Sequence, residues 1–200
     1  MKAEEWDERY RSAELVWGTR PNRWVEGELA NLPPGRALDL ACGEGRNALW
    51  LAARGWQVSA LDFSAVALDK GRTLESNQEP KAPRVTWIHG DATDYRSSQA
   101  FDLVLLCYLH LPPTAWTAAL SCAARALAPA GTLLVVGHDS TNIAAGVGGP
   151  QDPTVLFTAA EVAADLAGAG LVVDRAEAVH RRVDGADRPA IDAVVRAHRG

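Results

Sequence analysis

Residues 37–52 read ALDLACGEGRNALWLA: an apolar run broken by Asp39, a break at Gly43 and Gly45, then an amphipathic segment. A strand, a tight turn and a helix in that order leave bare backbone at the turn, where glycine lets a ligand approach the main chain. The N–H groups that open the helix favour electron-rich ligand atoms. Gly43, Gly45 and Ala48 satisfy the dinucleotide spacing G-x-G-x-x-G/A only loosely. Asp39, on the strand just before the turn, would repel an incoming pyrophosphate and attract a cation. A ligand with an ammonium or sulfonium end and no phosphate therefore fits better. A nicotinamide-dependent oxidoreductase remains the alternative that this loop tolerates.

S-adenosylmethionine (SAM) carries both positive groups and no phosphate. The pattern Asp39-x-Ala41-x-Gly43-x-Gly45 resembles the first motif of class I SAM-dependent methyltransferases, with Ala41 where that motif usually has its first glycine. The substitution implies slightly looser contact with the cofactor's amino-acid end. The resemblance implies SAM as cofactor, S-adenosylhomocysteine (SAH) as product, and loop contacts from Ala41, Cys42, Gly43, Gly45, Arg46 and Asn47. Cys42 is a small residue where one is wanted, and nothing nearby in sequence activates it as a nucleophile. Asp62 follows the loop by about twenty residues, the spacing at which an acid accepts hydrogen bonds from ribose hydroxyls in NAD and SAM sites alike. Phe63, followed by Ser64, could lie against the adenine ring. Asp91, in Gly90-Asp91-Ala92, matches the family's acid for the adenine amino group, with the next N–H, that of Ala92, reading the ring; the alternative is an Asx-turn. Cys107, at the end of the fourth strand, completes the implied cofactor set.

Methyl transfer from a sulfonium is an in-line displacement that gains most from positioning. His110, in CYLHLPP, is the candidate to touch the acceptor, or else a cap beside Pro112-Pro113. His180-Arg181 and Arg188 resemble a His-Arg pair and following Arg of the tellurite-resistance methyltransferases, where they are implicated in handling an oxyanion. Arginine offers an anion a planar fork of donors. Strand alternation sets His180 and Arg181 on opposite faces unless a bulge intervenes, and a solvated hairpin edge is the alternative. WDERY followed by WGTRPN resembles the N-terminal lid of the tellurite-resistance and thiopurine methyltransferase branch, which brings Tyr10 and Trp17 into the cofactor set. An aromatic face near a sulfonium gains ~0.5–2 kcal/mol; simple packing of Trp6 and Tyr10 is the alternative.

Alternating segments must position these groups. Strands are predicted at 36–40, 57–61, 84–88, 101–107 and 131–136, and helices at 46–53, 64–77, 113–127 and 158–166. A closing hairpin, 171–183 and 189–197, turns at Asp184-Gly185. This order predicts an α/β, Rossmann-like class I methyltransferase fold: a mostly parallel seven-stranded sheet, a C-terminal antiparallel hairpin, and helices on both faces. Residues 142–153, rich in Gly, Ala and Pro, are expected to be flexible. Two hundred residues at 48 % hydrophobic suit one domain, with a helical lid over 1–32 and the core over 36–200.

A net charge of −5 argues against nucleic-acid and anionic-membrane partners. The apolar runs are too short to span a bilayer, the charged N-terminus lacks a signal core, and three cysteines form no metal-ligand or disulfide pattern. The expectation is a cytoplasmic enzyme, monomer or homodimer, that binds a small-molecule substrate and no metal. A SAM-binding module without catalysis is the other alternative.

Overall fold

A computed structural model describes residues 3–77 and 84–200. Along these residues run α1 (Ala3–Arg11), α2 (Arg23–Leu29), β1 (Arg36–Leu40), α3 (Arg46–Ala53), β2 (Gln57–Asp62), α4 (Ala65–Ser76) and β3 (Thr86–His89). They continue with β4 (Phe101–Cys107), α5 (Pro113–Ala126), β5 (Leu127–His138), α6 (Asn142–Ala145), α7 (Ala159–Gly168), β6 (Leu171–Arg181) and β7 (Ala190–Arg199). The strands form one sheet in the order β3-β2-β1-β4-β5-β7-β6. The first five pair in parallel, and β7 lies antiparallel between β5 and β6. This is the Rossmann-like architecture that the alternation predicts.

Apolar layers cover both faces of the sheet. Leu38, Leu40, Val104 and Leu106 pack with Trp116, Leu120, Val162 and Leu166 of α5 and α7. Ala37, Leu103, Leu105 and Leu134 pack with Val25, Leu29, Leu49 and Leu51 of α2 and α3. Strands buried on both faces explain the uninterrupted apolar runs at 103–106 and 133–136. The edge strand β6 is mostly exposed and carries charged residues, which discourages further strand addition.

The differences from the sequence expectations have local causes. Asn22 accepts hydrogen bonds from Trp24 N at 2.9 Å and Val25 N at 3.4 Å, capping the short α2 that apolar periodicity did not reveal. The 142–153 stretch is anchored: buried Asn142 donates to Gly148 O at 2.8 Å and accepts from Ile191 N at 2.7 Å. β6 stops at Arg181, and β7 extends to Arg199. Of the lid expected over 1–32, residues 1–2 lie outside the described residues.

Candidate active site

The glycine turn follows β1, where Ala41 (φ 60°), Gly43 (56°) and Gly45 (78°) are all left-handed. Cys42 N donates to Leu61 O at 2.9 Å and Gly43 N to Asp62 Oδ2 at 2.8 Å, tying the turn to β2. Gly45 has a steric reason as well as a conformational one: a Cβ there would overlap the Trp87 ring. Glu75 fixes that ring by accepting from its Nε1 at 3.1 Å.

Asp39 is 1 % exposed, and neither carboxylate oxygen has a hydrogen-bond partner among the described residues. Burial, then the nearby Asp62 carboxylate, pushes its pKa up to about 7, while Arg46 and the Ala48 amide offset part of that rise. A buried carboxylate in this condition is costly unless a cation meets it. Asp62 is also buried, and burial raises its pKa. Its two oxygens accept from Gly43 N and Ser64 N, each at 2.8 Å. Each oxygen keeps a second lone pair.

Several residues in the expected cofactor set do structural work. Ser64 caps α4 through Ala67 N at 3.1 Å and donates to Asp7 Oδ1 at 2.5 Å. Asn47 accepts from Asn22 N at 2.9 Å, and Arg46 donates to Trp17 O at 3.2 Å. Asp91 forms the Asx-turn: Oδ1 accepts from Thr93 N and Oγ1, both at 2.8 Å. Its neighbour Ala92 is buried, and Phe63 O lies 2.9 Å from His89 Nε2. Burial holds the Cys42 thiol well above its ordinary pKa and pushes Cys107 up to about 12, so both stay protonated.

The N-terminal segment lies over the turn. Tyr10 is buried, its Oη accepts from Trp17 Nε1 at 3.2 Å, and a Cβ on Gly43 would stand 2.8 Å from that oxygen. Glu44, 1 % exposed, holds the segment down by accepting from Val16 N at 3.0 Å and Trp17 N at 3.2 Å. Lys70 Nζ sits 3.4 Å from Glu44 and donates to the carbonyls of Tyr10, Ala13 and Glu14. Sequence reasoning missed both residues; the only signal was an acid inside a glycine turn with no ligand to serve. Glu44→Ala leaves two N–H groups without their acceptor, a loss of about 1–3 kcal/mol in local stability. Limited proteolysis between residues 11 and 20 is expected to speed up roughly 5- to 100-fold. Unchanged cleavage would contradict the clamp.

A second cluster gathers where β4, β5, β6 and β7 meet. Asp192, fully buried, accepts from Arg181 Nε at 2.8 Å and Trp24 Nε1 at 2.9 Å, and lies 3.3 Å from His138 Nδ1. Burial would raise the Asp192 pKa, but His138, Arg181 and Trp24 overcome it and hold the carboxyl well below its usual range. Tyr108, left-handed at φ 58°, meets the His138 ring edge-on at 4.9 Å between centroids. His110 stacks on His138 at 5.5 Å. Its Nε2 accepts from His138 N at 3.1 Å, and burial, then His138, lowers its pKa to about 4, so it is neutral.

Of the expected acceptor-site residues, this cluster contains His110 and Arg181. His180 and Arg188 are corrections. The β6 bulge lies at Val173/Arg175, so alternation keeps His180 on the opposite face, exposed. Arg188 is exposed and donates to Ala144 O at 3.1 Å. Asp192, Tyr108, Trp24 and the role of His138 were missed; a lone acid in the apolar run AIDAVV was the available signal.

Residues 37–131 match the family described as Methyltransferase domain. The match covers the glycine turn, Asp39, Asp62, Asp91 and His110. A demethylmenaquinone methyltransferase from Clavibacter sepedonicus is 39% identical over 74 residues, covering 36% of this chain and 29% of that protein. The match thus spans under a third of that relative's length. N-methyltransferase NodS from Bradyrhizobium japonicum WM9, solved with S-adenosyl-L-homocysteine, shares the fold at TM-score 0.76 and 15% identity, over 100% of this chain and 99% of that one. TehB from Haemophilus influenzae superposes at TM-score 0.73 and 16% identity, over 97% of this chain and 67% of that one. The domain match over residues 37–131 and the shared fold agree on a methyltransferase-type α/β domain.

Proposed function

We propose that the chain is a SAM-dependent methyltransferase acting on a small-molecule acceptor, a thiol or a chalcogen oxyanion, as a cytoplasmic monomer or homodimer. The observation that carries this reading is Asp39: a buried carboxylate with both oxygens unmet, beside a left-handed glycine turn. An ammonium group meets that carboxylate, and a pyrophosphate does not. The turn residues Ala41 to Gly45 approach the amino-acid end of the cofactor, Asp62 offers its remaining lone pairs to ribose hydroxyls, and Tyr10 with Trp17 covers the turn. When bound, SAM supplies an electrophilic methyl group. The Tyr108, His110, His138, Arg181 and Asp192 cluster lies at the ends of neighbouring strands and receives the acceptor.

Among the described residues no helix is long and apolar enough to cross a membrane, and the acidic balance of −5 favours small substrates over nucleic acid. Arg181, which resembles the arginine of the His-Arg pair in the tellurite-resistance methyltransferases and lies in the Asp192 cluster, is what favours the oxyanion form. An acceptor screen over thiols, selenite, tellurite, halides and small amines, following SAH release, tests the reading. Release is expected with at least one of these acceptors. Tight SAH binding without release on any of them would favour a non-catalytic SAM-binding module.

A further inference from the structure

We propose that His138, positioned by Asp192, takes the proton from an acceptor that enters as a neutral thiol. The inference rests on the methyltransferase reading above and deepens it by choosing between its acceptor classes.

His138 ends β5 directly opposite Asp192 of β7 in the sheet register. Its Nδ1 is buried and lies 3.3 Å from the Asp192 carboxylate, within ion-pair distance though outside good hydrogen-bond geometry, while the side chain as a whole remains 13% exposed. The ring is held on several sides. His110 stacks on it with 15° between planes, Tyr108 meets it edge-on, and a Cβ on Gly149 would stand only 2.7–2.9 Å from its atoms. A proton on Nδ1 satisfies Asp192 and leaves Nε2 with a bare lone pair. Neighbouring groups cannot take this role. His110 spends its acceptor nitrogen on the backbone N–H of His138, and Tyr108 is held in its neutral form by burial.

The charged groups facing His138 are Asp192 and Arg181, and they pair with each other through Arg181 Nε at 2.8 Å and Nη2 at 3.4 Å. The pair is neutral overall, so it offers an oxyanion little net attraction and a neutral thiol no repulsion. A thiol is a poor nucleophile until its proton leaves. In the proposed step the acceptor's S–H bond breaks and its proton goes to His138 Nε2. The electron pair left on the acceptor sulfur forms the bond to the methyl carbon, and the pair of the old carbon–sulfur bond stays on the donor sulfur as a neutral thioether. The imidazolium is held by Asp192 until it loses its proton to solvent.

The test uses the full chain labelled with 15N-histidine. NMR of the ring nitrogens, assigned with His138→Asn, is expected to show His138 protonated at Nδ1 and bare at Nε2, with that preference lost in Asp192→Asn. With 2-mercaptoethanol as the thiol, His138→Asn is expected to lower kcat roughly 10²–10⁴-fold and to remove the acid limb of the pH–rate profile. Its SAH affinity by calorimetry should stay within threefold of wild type. A wild-type ring protonated at Nε2 overturns the proposal, as does a variant that keeps its rate and acid limb, or turnover of tellurite with none of the thiol. Absence of SAH binding in the wild-type chain defeats the methyltransferase reading itself, and the tautomer measurement keeps that outcome distinct.

Discussion

Asp39→Asn is expected to make the ligand-free protein more stable at pH 8 and to make it a worse binder of SAH. The folded-state pKa of Asp39 is raised to about 7, against an unfolded value of about 3.9. A group raised in this way favours the folded state fully below the unfolded value, and that contribution is lost as pH climbs from about 4 through about 7. Above that window the ionised, unmet carboxylate costs the native state about 4 kcal/mol. Asparagine removes that cost, so the melting temperature should rise by roughly 8–16 °C at pH 8 and change little at pH 4. The same substitution removes the partner of the ligand ammonium, and SAH affinity should fall at least tenfold, as for a lost charged hydrogen bond of ~1.5–3 kcal/mol. Wild type should also release a proton on binding below pH 7, seen as a buffer-dependent calorimetric enthalpy that Asp39→Asn lacks. A variant destabilised at pH 8 with unchanged affinity would show that Asp39 is an ordinary buried polar group.

Gly45→Ala is expected to be among the most damaging single-methyl additions in the chain. The residue is left-handed at φ 78°, and its added Cβ would overlap the Trp87 ring. That ring cannot swing away cheaply, because Glu75 holds its Nε1 and a Cβ on Gly71 would overlap the same ring. The backbone penalty is ~1–2 kcal/mol and forced repacking adds ~1–3 kcal/mol, so a stability loss of about 2–5 kcal/mol is expected by urea denaturation. Gly185→Ala makes the contrast: φ is 76°, but nothing lies within 4 Å of the new methyl. It should cost only the backbone penalty and leave SAH affinity unchanged. Equal losses for the two variants would remove the steric role given to Trp87.

What the sequence made legible follows how far each signal reaches along the chain. Asp39 and the two glycines sit within seven residues, so strand, turn and helix could be read together. The parallel strands showed as apolar runs because both of their faces are buried. The antiparallel hairpin showed through Asp184-Gly185, and strand alternation already separated His180 from Arg181. By contrast, the Asp192 cluster exists only because β7 inserts between β5 and β6, bringing Trp24, Tyr108, His138 and Arg181 together from four distant stretches. No local pattern encodes that meeting. Glu44 was overlooked for a different reason: its partners are backbone N–H groups of Val16 and Trp17, and any residue type supplies those. Asp91 and Ser64 had legible positions, but a short polar side chain bonds its neighbouring backbone as readily as a ligand, and here both do so.

On the proposed reading, the buried Asp39 carboxylate before the turn selects an ammonium-bearing cofactor over a pyrophosphate-bearing one. Calorimetric titration of the full chain with SAM and, separately, with NADH at pH 7.5 tests it most directly. Saturable one-to-one binding of SAM and no heat of binding from NADH are expected. Saturable binding of NADH with none of SAM would contradict it.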